Sequence, residues 1–224
     1  MIIFVTGTNT DVGKTVATAA LASAFAQSGR EVVYVKPLQT GEPDNSGDAA
    51  TVRALAGVEV TEMVRFPEPL APNLSARRAG MIPPSKEELW DWIAGLDAPG
   101  RVVLVEGAGG LLVRLADDYT LADVATNLLI VTSLGLGSLN AAELTVREAQ
   151  RRGINAMGLI GGSLPARPDL ATRLNVDELP AVTGCRLWGS VPEGAGALGR
   201  EDFARMAREL FPSDVCAELL AHAE

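Results

Sequence analysis

Short, mostly uninterrupted apolar runs recur along the chain, and segments with helical periodicity separate them. The runs cover residues 2–5, 32–35, 102–105, 128–131, 156–160 and 187–191. Strands that are buried on both faces carry such continuous runs, because neither face meets water. Strands that alternate with helices are typical of a parallel sheet with helices on both faces. The pattern therefore predicts an α/β fold.

Helical patterns fill the intervals between these runs. They predict helices at about 14–29, 48–56, 85–95, 120–127, 138–152 and 201–210. Leu21 and Phe25 lie one turn apart in the first helix, and Gly153 is a plausible C-cap for the fifth. The most turn-rich stretches, 41–47 and 67–84, are too short to be domain linkers. We therefore expect a single domain over residues 1–224.

Polar or glycine residues follow most of the apolar runs directly. These are Thr6-Gly7, Lys36-Pro37, Glu106-Gly107, Thr132-Ser133, Gly161-Gly162-Ser163 and Pro192-Glu193-Gly194. The carboxyl ends of parallel strands meet at one edge of the sheet, where open α/β folds bind their ligands. Loops are polar in any protein, but a lysine, a glutamate and glycine-rich turns at one edge indicate a binding site.

The segment G-T-N-T-D-V-G-K-T at residues 7–15 lies between a strand and a helix, as a phosphate loop does. The strict G-x-x-x-x-G-K-[ST] pattern has a glycine where this chain has Thr8. The second half of the pattern is intact as Gly13-Lys14-Thr15. In this half the lysine reaches the β- and γ-phosphates, and the threonine hydroxyl binds Mg²⁺. The motif predicts a three-layer P-loop NTPase fold with a mostly parallel central sheet.

Three further residues are candidates for chemistry at this edge. Lys36 follows a buried run and is one of only three lysines; it either stabilises a transferring phosphoryl group or simply ends a strand. Glu106, before a glycine-rich segment, either holds Mg²⁺ as a Walker-B acid does or is a solvated glutamate in a tight turn. Asp48 either caps the helix that it opens or supplies a second carboxylate to the metal.

Composition and net charge limit the classes of partner that the protein can bind. The formal net charge of −9 over 224 residues argues against a nucleic-acid partner, whereas backbone N–H groups can hold phosphates despite that charge. The single histidine, His222, leaves the chain without the usual metal ligand and general base. Two isolated cysteines, no signal peptide and no apolar run near 20 residues predict a cytoplasmic protein that is not bound to a membrane.

Taken together, these motifs resemble the dethiobiotin synthetase family. That family shows G-T-x-T-x-V-G-K-T, then K-P-x-x-[ST]-G, then an aspartate that opens a helix, then V-E-G-A-G-G. The chain has all four in this order over residues 6–110. Residues 136–140 are similar to the family's L-G-x-x-N turn, and Ser190-Val191-Pro192 to the turn after its last strand.

The resemblance implies a ligase of biotin biosynthesis. Family members form the ureido ring of dethiobiotin from 7,8-diaminononanoate, CO₂ and ATP, through a carbamate and a carbamic–phosphoric mixed anhydride. Such an enzyme needs positioning and charge neutralisation more than a histidine. The family's substrate tail is held across a dimer interface, so the resemblance also implies a homodimer.

The resemblance implies roles for individual residues. Lys14 and Lys36 would act in catalysis, and Thr15, Asp48 and Glu106 would bind Mg²⁺. The residues expected to bind substrate are Thr40, Gly137, Ser138, Leu139 and Asn140. The residues expected to bind nucleotide are Asp11, Val12, Gly13, Lys14, Thr15, Val16, Asp48, Glu106, Gly107, Ala108, Gly109, Gly162, Ser163, Val191, Pro192 and Glu193.

The chain departs from the family pattern at the adenine site. Many members follow the fifth strand of the sheet with an Asn-Asp pair that reads adenine, and this chain has Gly161-Gly162-Ser163-Leu164 there. Without the amide, we predict weak discrimination among nucleoside triphosphates, with backbone groups near Gly162 and Pro192–Glu193 lining the base.

Two other classes fit part of the pattern. Amidating phosphate-loop ligases, such as cobyrinate amide synthases, usually carry a glutaminase domain for which 224 residues leave no room. Partition-type switch ATPases usually have a second lysine early in the phosphate loop, where this chain has Thr8-Asn9-Thr10. A switch ATPase would not respond to the diamine.

Overall fold

A computed structural model describes residues 1–223 and shows a seven-stranded parallel sheet. Its order is β3-β2-β4-β1-β5-β6-β7, and each neighbouring pair is parallel. The strands are β1 (Ile2–Gly7), β2 (Glu31–Thr40), β3 (Glu59–Phe66), β4 (Arg101–Gly110), β5 (Asn127–Thr132), β6 (Asn155–Leu164) and β7 (Leu187–Pro192). The predicted parallel sheet is confirmed.

Eight α-helices in the described residues form the two outer layers. They are α1 (Lys14–Gln27), α2 (Asp48–Ala56), α3 (Pro72–Ala79), α4 (Lys86–Ala94), α5 (Ser138–Arg151), α6 (Leu170–Thr183), α7 (Arg200–Leu210) and α8 (Ser213–Ala221). Helices α1, α2, α7 and α8 pack on one face, and α3 to α6 on the other. The expectation of helices on both faces is confirmed.

Strand alternation divides the core into two halves. Ile3 and Val5 of β1 face α1, whereas Phe4 between them faces the opposite helices, and all three are fully buried. Successive side chains of a strand point to opposite faces, so a strand covered on both faces must be apolar at every position. This explains why uninterrupted apolar runs located the strands.

Three strands continue beyond their apolar runs. The predictions ended β2 at 35, β4 at 105 and β6 at 160, and the strands end at Thr40, Gly110 and Leu164. Backbone pairing does not require apolar side chains, and β2 still pairs with β3 as far as Thr40 and Phe66. Lys36 and Glu106 therefore lie inside strands rather than after them.

Several elements were missed by the periodicity. Strand β3 is an edge strand with three charged residues in E-V-T-E-M-V-R-F, a composition that protects an exposed edge but hides the strand. Helix α3 begins with Pro72 inside the stretch interpreted as turns, and Pro180 interrupts the pattern of α6. Helix α8 was missed as well.

The predicted helix at 120–127 is wrong. A single 3₁₀ turn, Leu121–Asp123, occupies this region. The Asp123 carboxylate accepts hydrogen bonds from Thr120 N at 2.8 Å and Thr120 Oγ1 at 2.7 Å, which closes one turn only. Strand β5 then begins at Asn127 and pairs with β6 from that residue onward.

None of the helices over residues 1–223 combines the length and apolar character that crossing a bilayer requires.

Candidate active site

A cleft of about 780 Å³ opens at the carboxyl edge of β1, β2 and β4. The pairing of β2 with β4 ends at Val35 and Val105, and the next residue of each strand is Lys36 or Glu106. The cleft is lined by Thr10, Asp11, Gly13, Lys14, Thr15, Val16, Lys36, Leu38, Gln39, Thr40, Asp48, Pro69, Leu70, Ala71, Pro72, Glu106, Ala108, Gly109 and Val113. The structure thus brings the phosphate loop, Lys36, Asp48 and Glu106 together.

The phosphate loop holds its backbone in a strained conformation. Gly13 has φ +92°, and Asp11 has φ +58°, which is uncommon for a residue other than glycine. Thr8 N donates to Val131 O at 2.9 Å and ties the loop to β5. Helix α1 starts at Lys14 without a side-chain cap, so its first N–H groups are free to bind an anion.

Gly162 packs against the phosphate loop. A Cβ at residue 162 would lie 1.6 Å from Val12 O, and a Cβ at Gly13 would lie 2.5 Å from Gly162 O. Only glycine fits at both positions, because the two backbones are in contact. The glycine that replaces the family's amide thus supports the back of the loop.

Lys36 is the centre of a buried charge cluster. Its Nζ lies 2.5 Å from Asp48 Oδ2 and 3.2 Å from Glu106 Oε1, and it donates to Gly107 O at 3.2 Å. Burial by itself lowers the pKa of Lys36, but the carboxylates of Glu106 and Asp48 outweigh burial and leave the pKa raised. Burial also opposes ionisation of Asp48, whose pKa is nevertheless lowered by Lys36 and by its hydrogen bonds. Lys36 is therefore a fixed positive charge.

Thr15 joins the two carboxylates from the other side. Its hydroxyl lies 2.8 Å from Asp48 Oδ1 and 3.0 Å from Glu106 Oε1. Glu106 Oε2 is buried and lacks a hydrogen-bond partner in the described residues. No cluster of three or more His, Cys, Asp or Glu side chains occurs in residues 1–223, so a metal here would use one hydroxyl and two carboxylates. These hard oxygen ligands fit Mg²⁺, which takes its remaining ligands from phosphates and water.

Lys14 lies at the mouth of the same cluster. Its Nζ donates to Asn9 O at 3.3 Å, a bond within the phosphate loop. Burial lowers the pKa of Lys14, and the charge of Lys36 lowers it further, while Glu106 opposes both. A phosphate placed in the loop would oppose this lowering and keep the ammonium charged.

Asp48 is not the cap of α2, so the simpler of its two interpretations is wrong. Gly47 is the N-cap residue, and Asp48 N donates instead to Gln39 Oε1 at 3.1 Å. This contact leaves the carboxylate of Asp48 free to face Lys36 and Thr15. Gln39 occupies a variable position of the lysine–proline motif, so no sequence pattern indicated its role.

The far wall of the cleft is largely apolar. Leu38, Val113 and residues 69–72 line it, and Thr40 also belongs to the lining of the cleft. Residues 69–72 lie just before α3 and at its start, in the stretch that sequence patterns described only as turns. Such a wall suits an alkyl chain that carries polar groups at one end.

Other predicted site residues lie outside the lining of this cleft, and their roles stay predictions. Ser138 is buried at the start of α5, where Asn175 Nδ2 donates to its Oγ at 3.1 Å. Glu193 N, just after β7, donates to Leu164 O at 2.8 Å. The predicted residues not in the lining are Val12, Gly107, Gly137, Ser138, Leu139, Asn140, Gly162, Ser163, Val191, Pro192 and Glu193.

Sequence comparisons agree on one family. A family model described as "AAA domain" matches residues 2–197. An ATP-dependent dethiobiotin synthetase of Corynebacterium diphtheriae is 59% identical over 93% of this chain and 96% of its own length. Proteins of the same name from Corynebacterium kroppenstedtii and Streptomyces coelicolor are 52% and 51% identical, over 100% and 92% of this chain and 99% and 90% of their own lengths.

Solved structures agree on the fold. The septum site-determining protein MinD from Pyrococcus horikoshii, solved with Mg-ADP, has a TM-score of 0.61 at 18% identity, over 100% of this chain and 95% of its own. A ParA family ATPase from Chlorobium tepidum has a TM-score of 0.54 at 15% identity, over 99% and 97% of the two chains. At such identities the likeness shows the P-loop NTPase fold alone, as the sequence predicted.

Proposed function

Since the chain belongs to the ATP-dependent dethiobiotin synthetase family, we propose that it closes the ureido ring of dethiobiotin in biotin biosynthesis. Its substrates are 7,8-diaminononanoate, CO₂ and ATP. The observation that supports this assignment best is the contact of Lys36 with both Asp48 and Glu106, beside the free N–H groups of α1. The site thus offers two lysine cations, Lys14 and Lys36, to a transferring phosphoryl group.

The reaction runs in three steps. One amine of the substrate adds to CO₂ and loses a proton, which gives a carbamate. A carbamate oxygen attacks the γ-phosphorus of ATP, so that ADP leaves and a carbamic–phosphoric anhydride forms. The second amine then attacks the anhydride carbon and expels phosphate, which closes the five-membered ring.

Two lysines and a helix start stabilise the phosphoryl transfer. Lys14 and the first N–H groups of α1 hold the β- and γ-phosphates. Lys36 is 3% exposed and stays charged, so its ammonium acts close to the transferring group with little screening by water. Both side chains neutralise charge that moves from the carbamate towards ADP.

Thr15, Asp48 and Glu106 would hold Mg²⁺. When bound, the ion would supply positive charge that offsets the charge of the nucleotide phosphates. The Thr15 hydroxyl, which lies within hydrogen-bond distance of Asp48 Oδ1 and Glu106 Oε1, supports this role. The Lys36 ammonium, which contacts the same two carboxylates, would compete with the ion for them.

The diamine binds along the apolar wall, with its amines near Thr40 and Lys36. We place its carboxylate tail at the start of α5, at Gly137–Asn140, contributed by the second copy of a homodimer. Leu136, which precedes this turn, is 95% exposed, and Leu144 on α5 is 61% exposed. Leucines this exposed beside a predicted binding turn support an interface there.

Light scattering tests the dimer. We expect the mass of two chains, and Leu136→Asp should shift the equilibrium towards one chain and raise the KM for the diamine. Ile82→Asp is the matched control, because Ile82 is 91% exposed in the connection between α3 and α4. A single-chain mass for the unchanged protein would rule out the shared site.

We also place the protein in the cytoplasm, since Cys185 and Cys216 are both free and buried.

Labelled bicarbonate tests the activity directly. With ATP, Mg²⁺ and the diamine, the label should enter a cyclic urea in a 1:1 ratio with released phosphate. Omission of the diamine should stop both product and ATP turnover. ATP hydrolysis that ignores the diamine would favour the switch-ATPase alternative and overturn the proposal.

A further inference from the structure

Two polar atoms beneath the active site are buried without a partner. The hydroxyl of Tyr34 and Oε2 of Glu106 make no hydrogen bond of standard geometry among residues 1–223. Tyr34 is 0% exposed and Glu106 is 1% exposed, so water does not reach either atom. An unpaired buried polar group is costly, and most such groups in native proteins are paired.

Strand register places the two groups on the same side of the sheet. Tyr34 pairs with Leu104, and both side chains face α1. Residues two positions apart share a face, so Lys36 and Glu106 lie on this face, one pleat closer to the cleft. The ring of Tyr34 therefore lies directly below the pair formed by Lys36 and Glu106.

The third unpaired side-chain atom does not compete for this pairing. Thr6 Oγ1 is also buried without a partner, but Thr6 shares a face with Phe4, which packs against the opposite helices. The sheet separates Thr6 from the carboxylate. Tyr34 and Glu106 are left as one donor and one acceptor in the same enclosed space.

Their chemistry is complementary. A phenol supplies one O–H donor, and an ionised carboxylate only accepts. Burial raises the pKa of Tyr34 well above its usual value, and the charge of the adjacent Glu106 raises it further. The phenol consequently keeps its proton and stays a donor.

We infer that Tyr34 is a positioning residue, whose phenol O–H donates to Oε2 of Glu106 and directs Oε1 towards Thr15, Lys36 and the metal position. The role as a support for the metal ligand rests on the proposed function; the pairing itself rests on burial and register alone. Partners behind a ligating carboxylate fix its orientation, and their loss typically weakens metal binding about 10- to 100-fold.

Tyr34→Phe removes the donor and keeps the ring. Calorimetric titration of Mg²⁺ into protein saturated with a non-hydrolysable ATP analogue should show an affinity about 10-fold weaker than that of the unchanged protein. In turnover, the half-saturating Mg²⁺ concentration should rise by a similar factor while the KM for the diamine stays constant. A role in packing alone would leave the Mg²⁺ dependence unchanged.

Tyr119→Phe is the matched control, since Tyr119 is the second of the two tyrosines in the chain. It is 2% exposed and donates to Pro84 O at 2.8 Å, away from the cleft. This variant also loses a buried phenol hydroxyl, and it should keep the Mg²⁺ affinity. Equal Mg²⁺ affinity in Tyr34→Phe and the unchanged protein would overturn the inference.

A crystal structure of the unchanged protein supplies a second measurement that does not depend on the folding of any variant. Tyr34 Oη should lie about 2.5–3.0 Å from Glu106 Oε2, and a separation beyond 4 Å would contradict the pairing. The two proposals can also fail separately. Without labelled cyclic urea the proposed reaction falls, whereas the distance and the Mg²⁺–nucleotide titration still decide the role of Tyr34.

Discussion

Lys36 keeps its positive charge in a place where burial alone would favour the neutral amine. The carboxylates of Asp48 and Glu106 compensate for burial, and they are tied together by Thr15. The same three oxygen-bearing side chains are the proposed ligands of Mg²⁺. At the scale of residues, Lys36 therefore neutralises the two carboxylates to which the proposed function assigns the metal.

Lys14→Gln and Lys36→Gln should each lower kcat by about 10²–10³-fold, because each removes a cation placed for the moving phosphoryl charge. Circular dichroism should show that both variants fold. Lys86→Gln is the control, since the side chain of Lys86 is 46% exposed and contacts only Glu87 among charged groups. Near-normal turnover in either site variant would remove that lysine from the proposed role.

The charge cluster should make stability depend on pH at both ends of the scale. The pKa of Asp48 is lowered from 3.8, so its contribution is present above that value and is lost as the pH falls through the lower, folded pKa. The pKa of Lys36 is raised from 10.5, so its contribution is present below that value and is lost as the pH rises through the folded pKa.

Urea unfolding of Asp48→Asn across the pH range tests the contribution of Asp48 to stability at low pH. At neutral pH we expect a loss of about 2 kcal/mol in the free energy of unfolding, the order for a hydrogen bond to a charged group. The difference from the unchanged protein should begin to shrink below about pH 4, where the aspartate of the unfolded chain takes up a proton, and should vanish once the pH falls through the lower, folded pKa. A difference that persists undiminished to pH 2 would argue against this account.

At the scale of elements, the site depends on strands that separate at their ends. Pairing of β2 with β4 stops at Val35 and Val105, and this opening holds Lys36 and Glu106. Helix α2 starts opposite the opening, and its first N–H is capped by Gln39 from β2. One strand thus supplies the central cation and also positions the helix that carries its partner.

Gly162→Ala tests the contact between β6 and the phosphate loop. The new Cβ would overlap Val12 O, which is 1.6 Å away, so the loop must move. We expect about 1–3 kcal/mol of destabilisation and at least about tenfold weaker nucleotide binding, since one displaced phosphate contact costs about 1.4 kcal/mol or more. Gly199→Ala is the control, because no atom lies within 4 Å of a Cβ there and its φ is −67°. Unchanged nucleotide affinity in Gly162→Ala would show that the contact is not needed.

The same strand bears on the choice of nucleotide. Gly161 and Gly162 offer only backbone groups, so no side-chain amide is available there to distinguish one base from another. We predict affinities for different nucleoside triphosphates within about tenfold of one another, the effect of roughly one hydrogen bond. Competition binding measures them, and a strong preference for ATP would contradict the prediction.

At the scale of the whole molecule, ligand binding should stabilise the fold. Binding at 100 times the dissociation constant adds about 2.7 kcal/mol, which corresponds to roughly 5–10 °C in Tm for a domain of this size. Mg²⁺ with a non-hydrolysable ATP analogue should produce this shift in scanning calorimetry. Lys14→Gln should abolish most of the shift and Lys86→Gln should preserve it; an equal shift in both would place the nucleotide elsewhere.

The sequence determined the local features of this protein. Strands buried on both faces must be apolar at every position, so six of the strands were found directly, and glycines with a lysine between a strand and a helix identified the phosphate loop. Charged residues concealed the edge strand β3, and prolines concealed α3 and α6. Helix α8 was missed as well.

Only the tertiary structure decided what the polar residues contact. Lys36, Asp48 and Glu106 are separated by 12 and 58 residues along the chain, and their distances follow from strand order and from where pairing stops. The same holds for Gln39 as the cap of α2, for Gly162 against the loop and for Tyr34 below Glu106. Periodicity reports the face on which a residue lies, because that depends on its own strand or helix; a contact depends on two elements at once and exists only when the sheet has formed.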